Sequence, residues 1–414
     1  MNAVVQWSSR QVSTLVNLST VLLGVAQNLI FTGIIARHWP VQALGQWLSL
    51  EAGIGLLHIL PAVLADLVGF ELLRNSNPAE RHGLYRLGTK SAFGLSILLL
   101  PALLLLPFGH FPLPTSLLLI YGAMRLLGQP VLGTMSKRLY SDGQLSLSFL
   151  LGSFDQLLLL APAAVVAALN GTFAAAIGWA AGLRGFQVLF QSLLLLNLYP
   201  WRLGHAVIPA GWSVFEIWRR MLLLTPASLP AHLIQNGITL ATAALLGQAE
   251  LAVFSTHRTA AGFLGQFGNA LNEPRLPNML AQPHPMAAAW QLAWRTTPLL
   301  LPLVPVMLLC FPFVYAFWLG AEFPVQLGLF ALFLIVQLLR QLQQPMATVI
   351  RSRNEPVSAM FEGWMPLLTL FALLILIRPH QAPALVLLLV LAELMLFLVR
   401  VLLVRIPAFG LNSI

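Results

Sequence analysis

Charge is what this sequence lacks most: only 8% of its 414 residues are Asp, Glu, Lys or Arg, against about a quarter in an ordinary soluble domain. A water-soluble globule of this size is thereby excluded. Cysteine is nearly absent as well, and the lone Cys310 rules out an intramolecular disulfide or a cysteine-rich metal site. The short motifs of soluble enzymes are missing, with no HExxH and no GxGxxG. Gly83 to Lys90 reads GLYRLGTK, which inverts the Lys and Thr of a phosphate-binding loop and lacks a preceding strand. ATP hydrolysis by this chain is not expected, and neither a cofactor nor a metal is implied. What the chain has instead is 58% apolar residues, gathered in runs of about 20, long enough to cross a ~30 Å hydrocarbon core.

Breaks at charged, Pro-rich and Gly-rich points predict twelve membrane spans. They fall at 11–36, 44–70, 88–109, 115–136, 145–169, 172–198, 220–246, 250–276, 295–319, 324–350, 356–377 and 383–405. An even number of spans puts both termini on one side, and basic residues concentrate there: Arg10, Arg74, Arg81, Arg86, Lys90, Lys137, Arg138, Arg202, Arg219, Arg220, Arg275, Arg295, Arg351, Arg353, Arg400 and Arg405. The other side has Arg37 and Arg378. The positive-inside bias therefore places both termini of this multi-pass membrane protein in the cytoplasm. The net charge of +9 is a topology signal, and no nucleic-acid partner is expected. The first span is interrupted by Asn17, Gln27 and Asn28 and lacks a small-residue cleavage site, so it reads as a span and not as a cleaved signal peptide. Predicted outside loops are about seven residues or fewer. The one long connection, Leu198 to Arg220, carries Trp201, Trp212, Trp218 and Pro209 and reads as an interfacial segment or a plain linker with aromatic anchors.

The two halves of the chain repeat each other. Arg125-x-Leu127-x-Gln129-Pro130 recurs as Arg340-x-Leu342-x-Gln344-Pro345, an offset of 215, with Arg138 and Arg353 following at the same spacing. A weaker match links the second and eighth spans at an offset of 207, which makes Glu51 equivalent to Arg258. Six spans per repeat give the halves the same orientation, related by an axis along the membrane normal. The expected architecture is an all-α integral membrane protein of about twelve transmembrane helices, in two pseudo-symmetric six-helix lobes, 1–205 and 206–414, around a central cavity.

Four arginines, Arg125, Arg184, Arg258 and Arg340, fall inside predicted spans. Each costs about 2.5–3.5 kcal/mol at a helix centre if it faces lipid, so they must face protein or water. Two readings stand side by side. In one they form structural ion pairs with the acids Glu51, Asp66, Asp155, Glu273, Glu362 and Glu393; in the other they line a basic cavity for an anion. Gln129 and Gln344 share a helical face with the motif arginines, and guanidinium suits bidentate phosphate recognition. Equivalence of Glu51 and Arg258 further suggests an outer gate between them. His257, beside Arg258, titrates near neutrality when unperturbed but points to a different face.

These residues resemble a family. Ala36-Arg37 through Leu44-Gly45-Gln46-Trp47, and Ala65-Asp66-Leu67-Val68-Gly69-Phe70 through Arg74, resemble the first spans of the polysaccharide transporters of the MATE-like flippase superfamily; Leu245-Leu246-Gly247 through Leu251-Ala252-Val253-Phe254-Ser255 and Arg258 resemble its second-half string. The resemblance implies an O-antigen type flippase, not an enzyme, that moves an undecaprenyl-diphosphate-linked oligosaccharide across the cytoplasmic membrane by alternating access. Arg125, Arg258, Arg340 and Arg184, with Gln129 and Gln344, would hold the diphosphate. Glu51, Asp66, Asp155, Glu362 and Glu393 are gating or ion-coupling residues for H+ or Na+. The implied partners are the lipid-linked anionic oligosaccharide, the bilayer and other polysaccharide assembly proteins. A cation or drug antiporter of the same fold, which needs an acidic cavity, and an integral-membrane glycosyltransferase, which needs catalytic acids near an outside loop, are the alternatives.

Overall fold

The computed structural model describes residues 26, 29–75, 77–105, 115–142, 161–198, 207–272, 275–280, 282–320, 323–352, 356–377 and 379–405. The chain is an all-α integral membrane protein, and each of the twelve predicted spans overlaps at least one described helix. Helix formation follows from the solvent: hydrocarbon offers no hydrogen-bond partner, so the backbone of each apolar run satisfies itself. Among the described residues five helices are individually long and apolar enough to span, and two bent pairs pass the same test together.

The first half contains α1 (Leu29–His38), α2 (Val41–Leu57), α3 (Ile59–Arg74), α4 (Pro78–Leu99, extended by a 3-10 turn Leu100–Leu105), α5 (Thr115–Ser141), α6 (161–168) and α7 (Phe173–Leu198). The second contains α8 (Val214–His232), a π segment (Leu233–Gly237), α9 (Ile238–Leu246), α10 (Gln248–Asn272), α11 (Leu276–Leu280), α12 (Pro285–Leu300), α13 (Leu303–Leu319), α14 (Leu327–Ser352), α15 (Pro356–Ile377) and α16 (Ala382–Arg405). The second span is bent by 53° between α2 and α3, and the ninth by 42° between α12 and α13. Pro298 lies inside α12 and Pro302 caps α13, and each removes a backbone donor.

Two helices start ten residues earlier than expected, α12 at Pro285 and α4 at Pro78, against predicted starts of 295 and 88. Residues 78–87, left between the second and third predicted spans, are the first turns of α4, so GLYRLGTK is helical and has no phosphate-loop geometry. The reason is local. Asn77 accepts from the Ala79 N–H at 3.0 Å, Pro78 occupies the first turn, and Glu80 sits where the helix dipole favours an acid. Asn75 and Asn77 both donate to the Glu80 carboxylate, at 2.7 and 3.1 Å.

The described residues form two compact units, drawn from Leu22–Pro226 and from Ala227–Ile414. Each has the same hub. In the first, α5 packs against α3, α4 and α7; in the second, α14 packs against α10, α12 and α16. Numbered by span, the fourth member of each half contacts its second, third and sixth. Large apolar residues fill around the hubs. Trp47 stacks at an angle on Tyr121 and edge-on to Phe173 at 6.1 and 6.0 Å, and Phe254 meets Phe333 at 5.0 Å. The described part of the long connection also packs on the first unit, where the Val207 N–H donates to the Ala79 carbonyl at 3.2 Å and the Trp218 indole to the Ser91 carbonyl at 3.2 Å.

Candidate functional site

In the first unit the motif arginine is part of a closed polar cluster. Tyr121 and Arg125 lie four residues apart on α5 and so share a face. Both reach Glu51 of α2: Arg125 Nη2 bonds Oε2 at 2.9 Å, and the Tyr121 hydroxyl donates a short hydrogen bond to Oε1. Exposure of the pair is 8% for Arg125 and 12% for Glu51, so both charges are shut away from solvent. Arg184 of α7 is buried beside α5 and donates to Gln187 Oε1 at 2.6 Å. Glu51 is thus engaged within its own unit.

In the second unit the equivalent arginine is placed differently. Arg340 of α14 donates through Nε to Glu393 Oε1 of α16 at 2.6 Å. Arg340 keeps 33% of its side chain exposed while Glu393 keeps 10%, so the acid stands behind the base. Arg340 and Arg258 of α10 line one cleft with Gln337 and the apolar Ile234, Ile238 and Phe333. Arg258 also donates to Thr239 of α9 at 3.3 Å. The π segment forms part of the wall through Ile234, and it follows Pro226 and Pro230, two residues without an N–H. Interruptions of this kind re-aim side chains around sites.

A polar stripe on α14 was not anticipated from the sequence. Gln337, Arg340, Gln341 and Gln344 recur at i, i+3, i+4 and i+7, one helical face. Gln341 donates to the Gly265 carbonyl at 2.9 Å and to Asn269 Oδ1 at 3.0 Å. Asn272 donates to Gln344 Oε1 at 2.9 Å. Close approach is possible because Gly268 has no Cβ, which would lie 2.1 Å from Gln341 Oε1. On the far side of α14, Gln343 donates to the Glu393 carbonyl at 3.1 Å and accepts from Arg400 at 2.5 Å.

The remaining expected residues are dispersed. Asp66 forms a pair with Lys137 at 2.8 Å on a surface where both are about half exposed, apart from the buried cluster. Asp155 and Glu273, and the side chains of Gln129 and Glu362, lie outside the described residues. His257 is buried and points away from Arg258. Its Nε2 accepts from the Gln326 N–H at 3.0 Å, and Nδ1 faces the Val253 carbonyl at 2.8 Å and the Tyr315 hydroxyl at 3.1 Å, an arrangement that suits the neutral ring protonated on Nδ1. At the connection, Glu216 takes hydrogen bonds from Arg220 and Arg219 at 2.8 and 3.2 Å. The Arg220 hydrogen bond holds the Glu216 carboxyl below its usual range, and Arg220 also lies over the Trp212 ring at 4.3 Å. Among the described residues no group of three His, Cys, Asp or Glu is placed to hold a metal ion.

No protein-family model matches the chain, and no curated protein matches it by sequence. Solved structures do match its fold. The MATE multidrug transporter DinF-BH, solved as a ligand complex, superposes with a TM-score of 0.67 at 15% identity, over 98% of this chain and 96% of that one. A multidrug resistance MATE family transporter of the MOP superfamily, in an inward-facing conformation, gives 0.59 at 13% identity, over 97% and 99%. A MOP superfamily transporter from Pyrococcus furiosus, described as having a binding pocket of reverse polarity that suggests a different function, gives 0.57 at 13% identity, over 97% and 95%. At these identities the likeness establishes the fold, which is that of the MATE transporters of the MOP superfamily.

Proposed function

We propose that the chain is a secondary transporter of this fold, working by alternating access in the bacterial inner membrane with both termini cytoplasmic and its halves dividing near residue 205. Two substrate readings differ in chemistry. By their names, two of the neighbours described above favour a drug or metabolite exporter, and on that ground the antiporter is the better supported reading. The flippase reading, for an undecaprenyl-diphosphate-linked glycan, is carried by one observation: Arg258 and Arg340 line the same cleft. With Glu393 they bring two guanidinium groups and one carboxylate, a set that attracts an anion and repels an organic cation. The neighbour described by a reversed pocket polarity supports the view that one scaffold accommodates either sign.

An anionic headgroup would also be driven outward by the membrane potential, at about 2.3 kcal/mol per charge per 100 mV, so H+ or Na+ coupling is an addition to that drive and not a requirement. The deciding experiment uses the double variant Arg258→Gln/Arg340→Gln in cells, scoring surface glycan and accumulated lipid-linked intermediate beside efflux of a cationic dye. The anion reading expects glycan export to fall with no dye efflux in either protein. Dye efflux that survives the double variant would establish the exporter and end the flippase reading.

A further inference from the structure

We infer that Glu393 is a resident counter-anion that sets how tightly the cleft of Arg258 and Arg340 grips an anionic group, a phosphate or carboxylate. The inference rests on the anion reading of that cleft. Three features of the pair support it. First, contact is made through Arg340 Nε, and among the described residues this is the one hydrogen bond that Arg340 makes. Its two terminal nitrogens carry four further N–H donors on a side chain that is 33% exposed and lines the cleft. An incoming anion therefore meets an arginine whose fork is available but whose charge is already partly answered.

Second, the acid cannot follow the arginine. Glu393 is 10% exposed behind an arginine that is 33% exposed, and its own carbonyl is fastened to α14 by Gln343, which Arg400 holds in turn. Third, the pair in the other unit is built as a structural one. Glu51 and Arg125 are both nearly closed off, and Tyr121 occupies the second carboxylate oxygen. In the second unit the motif arginine lines a cleft. A carboxylate fixed a few ångströms behind the binding nitrogens lowers affinity for any ligand anion by direct repulsion. For a transporter that is useful, since a site must bind well enough to load and weakly enough to empty.

The test uses the full-length protein purified in detergent, with inorganic pyrophosphate as the probe and titration calorimetry at fixed ionic strength. Glu393→Gln should bind pyrophosphate about tenfold more tightly or better, from removal of one like charge at short range, and Arg258→Gln should weaken binding in every background. In the Arg340→Gln background binding should be weaker overall, but the Glu393→Gln gain should persist, because the carboxylate repels the ligand directly. Glu393→Asp, which keeps the charge but draws it back from Nε, gives a second handle if the Gln variant does not fold, and it should bind with intermediate affinity. Unchanged or weaker binding by Glu393→Gln, with wild type binding normally, overturns the counter-anion role alone. If neither wild type nor any variant binds pyrophosphate, the anion reading falls and takes this inference with it.

Discussion

The two arginine–carboxylate pairs make opposite predictions about stability, although they sit on the same repeated motif. Arg125 and Glu51 are 8% and 12% exposed and share a third partner in Tyr121. Removing one member of such a pair strands a charge in a low-dielectric interior, which costs about 3–5 kcal/mol. Removing both leaves no stranded charge, so Glu51→Gln/Arg125→Gln should lose much less than the sum of the single variants. Arg340 is 33% exposed while Glu393 is 10% exposed, so the arginine stays partly solvated when its acid is removed and coupling across that pair should be weaker than across Glu51–Arg125. Equilibrium unfolding by SDS titration in mixed micelles, run as two double-mutant cycles, reads both numbers on one protein. Additive losses in the Glu51–Arg125 cycle would refute the closed-pair reasoning. Equal couplings in the two cycles would refute the claim that one pair is structural and the other open.

Three further predictions come from other contacts. Gly268→Ala drives Gln341 out of its position, since the new Cβ would lie 2.1 Å from its oxygen and 2.4 Å from its amide carbon; losing the bonds to Gly265 and Asn269 should cost about 1–3 kcal/mol, and Gln341→Ala should recover part of the loss in the same unfolding assay. Gly83→Ala places a Cβ 2.2 Å from the Val207 carbonyl oxygen, a backbone atom that must shift, so limited proteolysis should cut the connection between residues 207 and 213 faster than in wild type while the helices stay protected. Finally, Arg258→Glu/Glu393→Arg keeps two arginines, counting Arg340, and one acid, and it should unfold at a higher SDS fraction than either single variant, each of which changes the charge balance of the cleft by two units; a double variant no more stable than the weaker single would exclude charge balance as the organising constraint.

The spans were legible because each is a predominantly apolar run, and that signal survives a few polar interruptions and needs no knowledge of packing. The start of α4 was not, because Arg81, Arg86 and Lys90 looked like loop charges; the overriding information was the short Asn77-Pro78-x-Glu80 cap, which outweighs charge at a cytoplasmic helix end. Arg125 and Arg340 announced themselves through a repeated motif, but their partners did not. Which carboxylate answers a buried arginine is decided by which helices meet, and the same motif arginine takes its acid from the second span in one unit and from the last span in the other. Gln337 and Gln341 were readable in principle, since with Arg340 and Gln344 they complete a polar face of period 3.6. Asn269 and Asn272 carried no such signal, and only the closeness of α10 to α14 gives them a role.

The charges of the two units follow one rule with its ends exchanged. Glu51 lies ten residues past the start of α2 and Arg258 ten past the start of α10, while Arg184 and Glu393 each lie eleven past the starts of α7 and α16. Counting spans, the first unit reads acid, arginine, arginine on its second, fourth and sixth, and the second unit reads arginine, arginine, acid. The central arginine is constant and receives a carboxylate from whichever flank supplies one, as the desolvation cost of a buried guanidinium demands. Exchange of the flanks then has a functional consequence. In the first unit the acid comes from α2 with Tyr121 closing over it, and the extra arginine is buried on α7; in the second the acid comes from behind, on α16, and the extra arginine stands on α10 at the cleft. A single reversal of charge order thus distinguishes a unit whose motif arginine is closed in with its acid from one whose motif arginine lines a narrow cleft, although the helices that carry them pack in the same pattern.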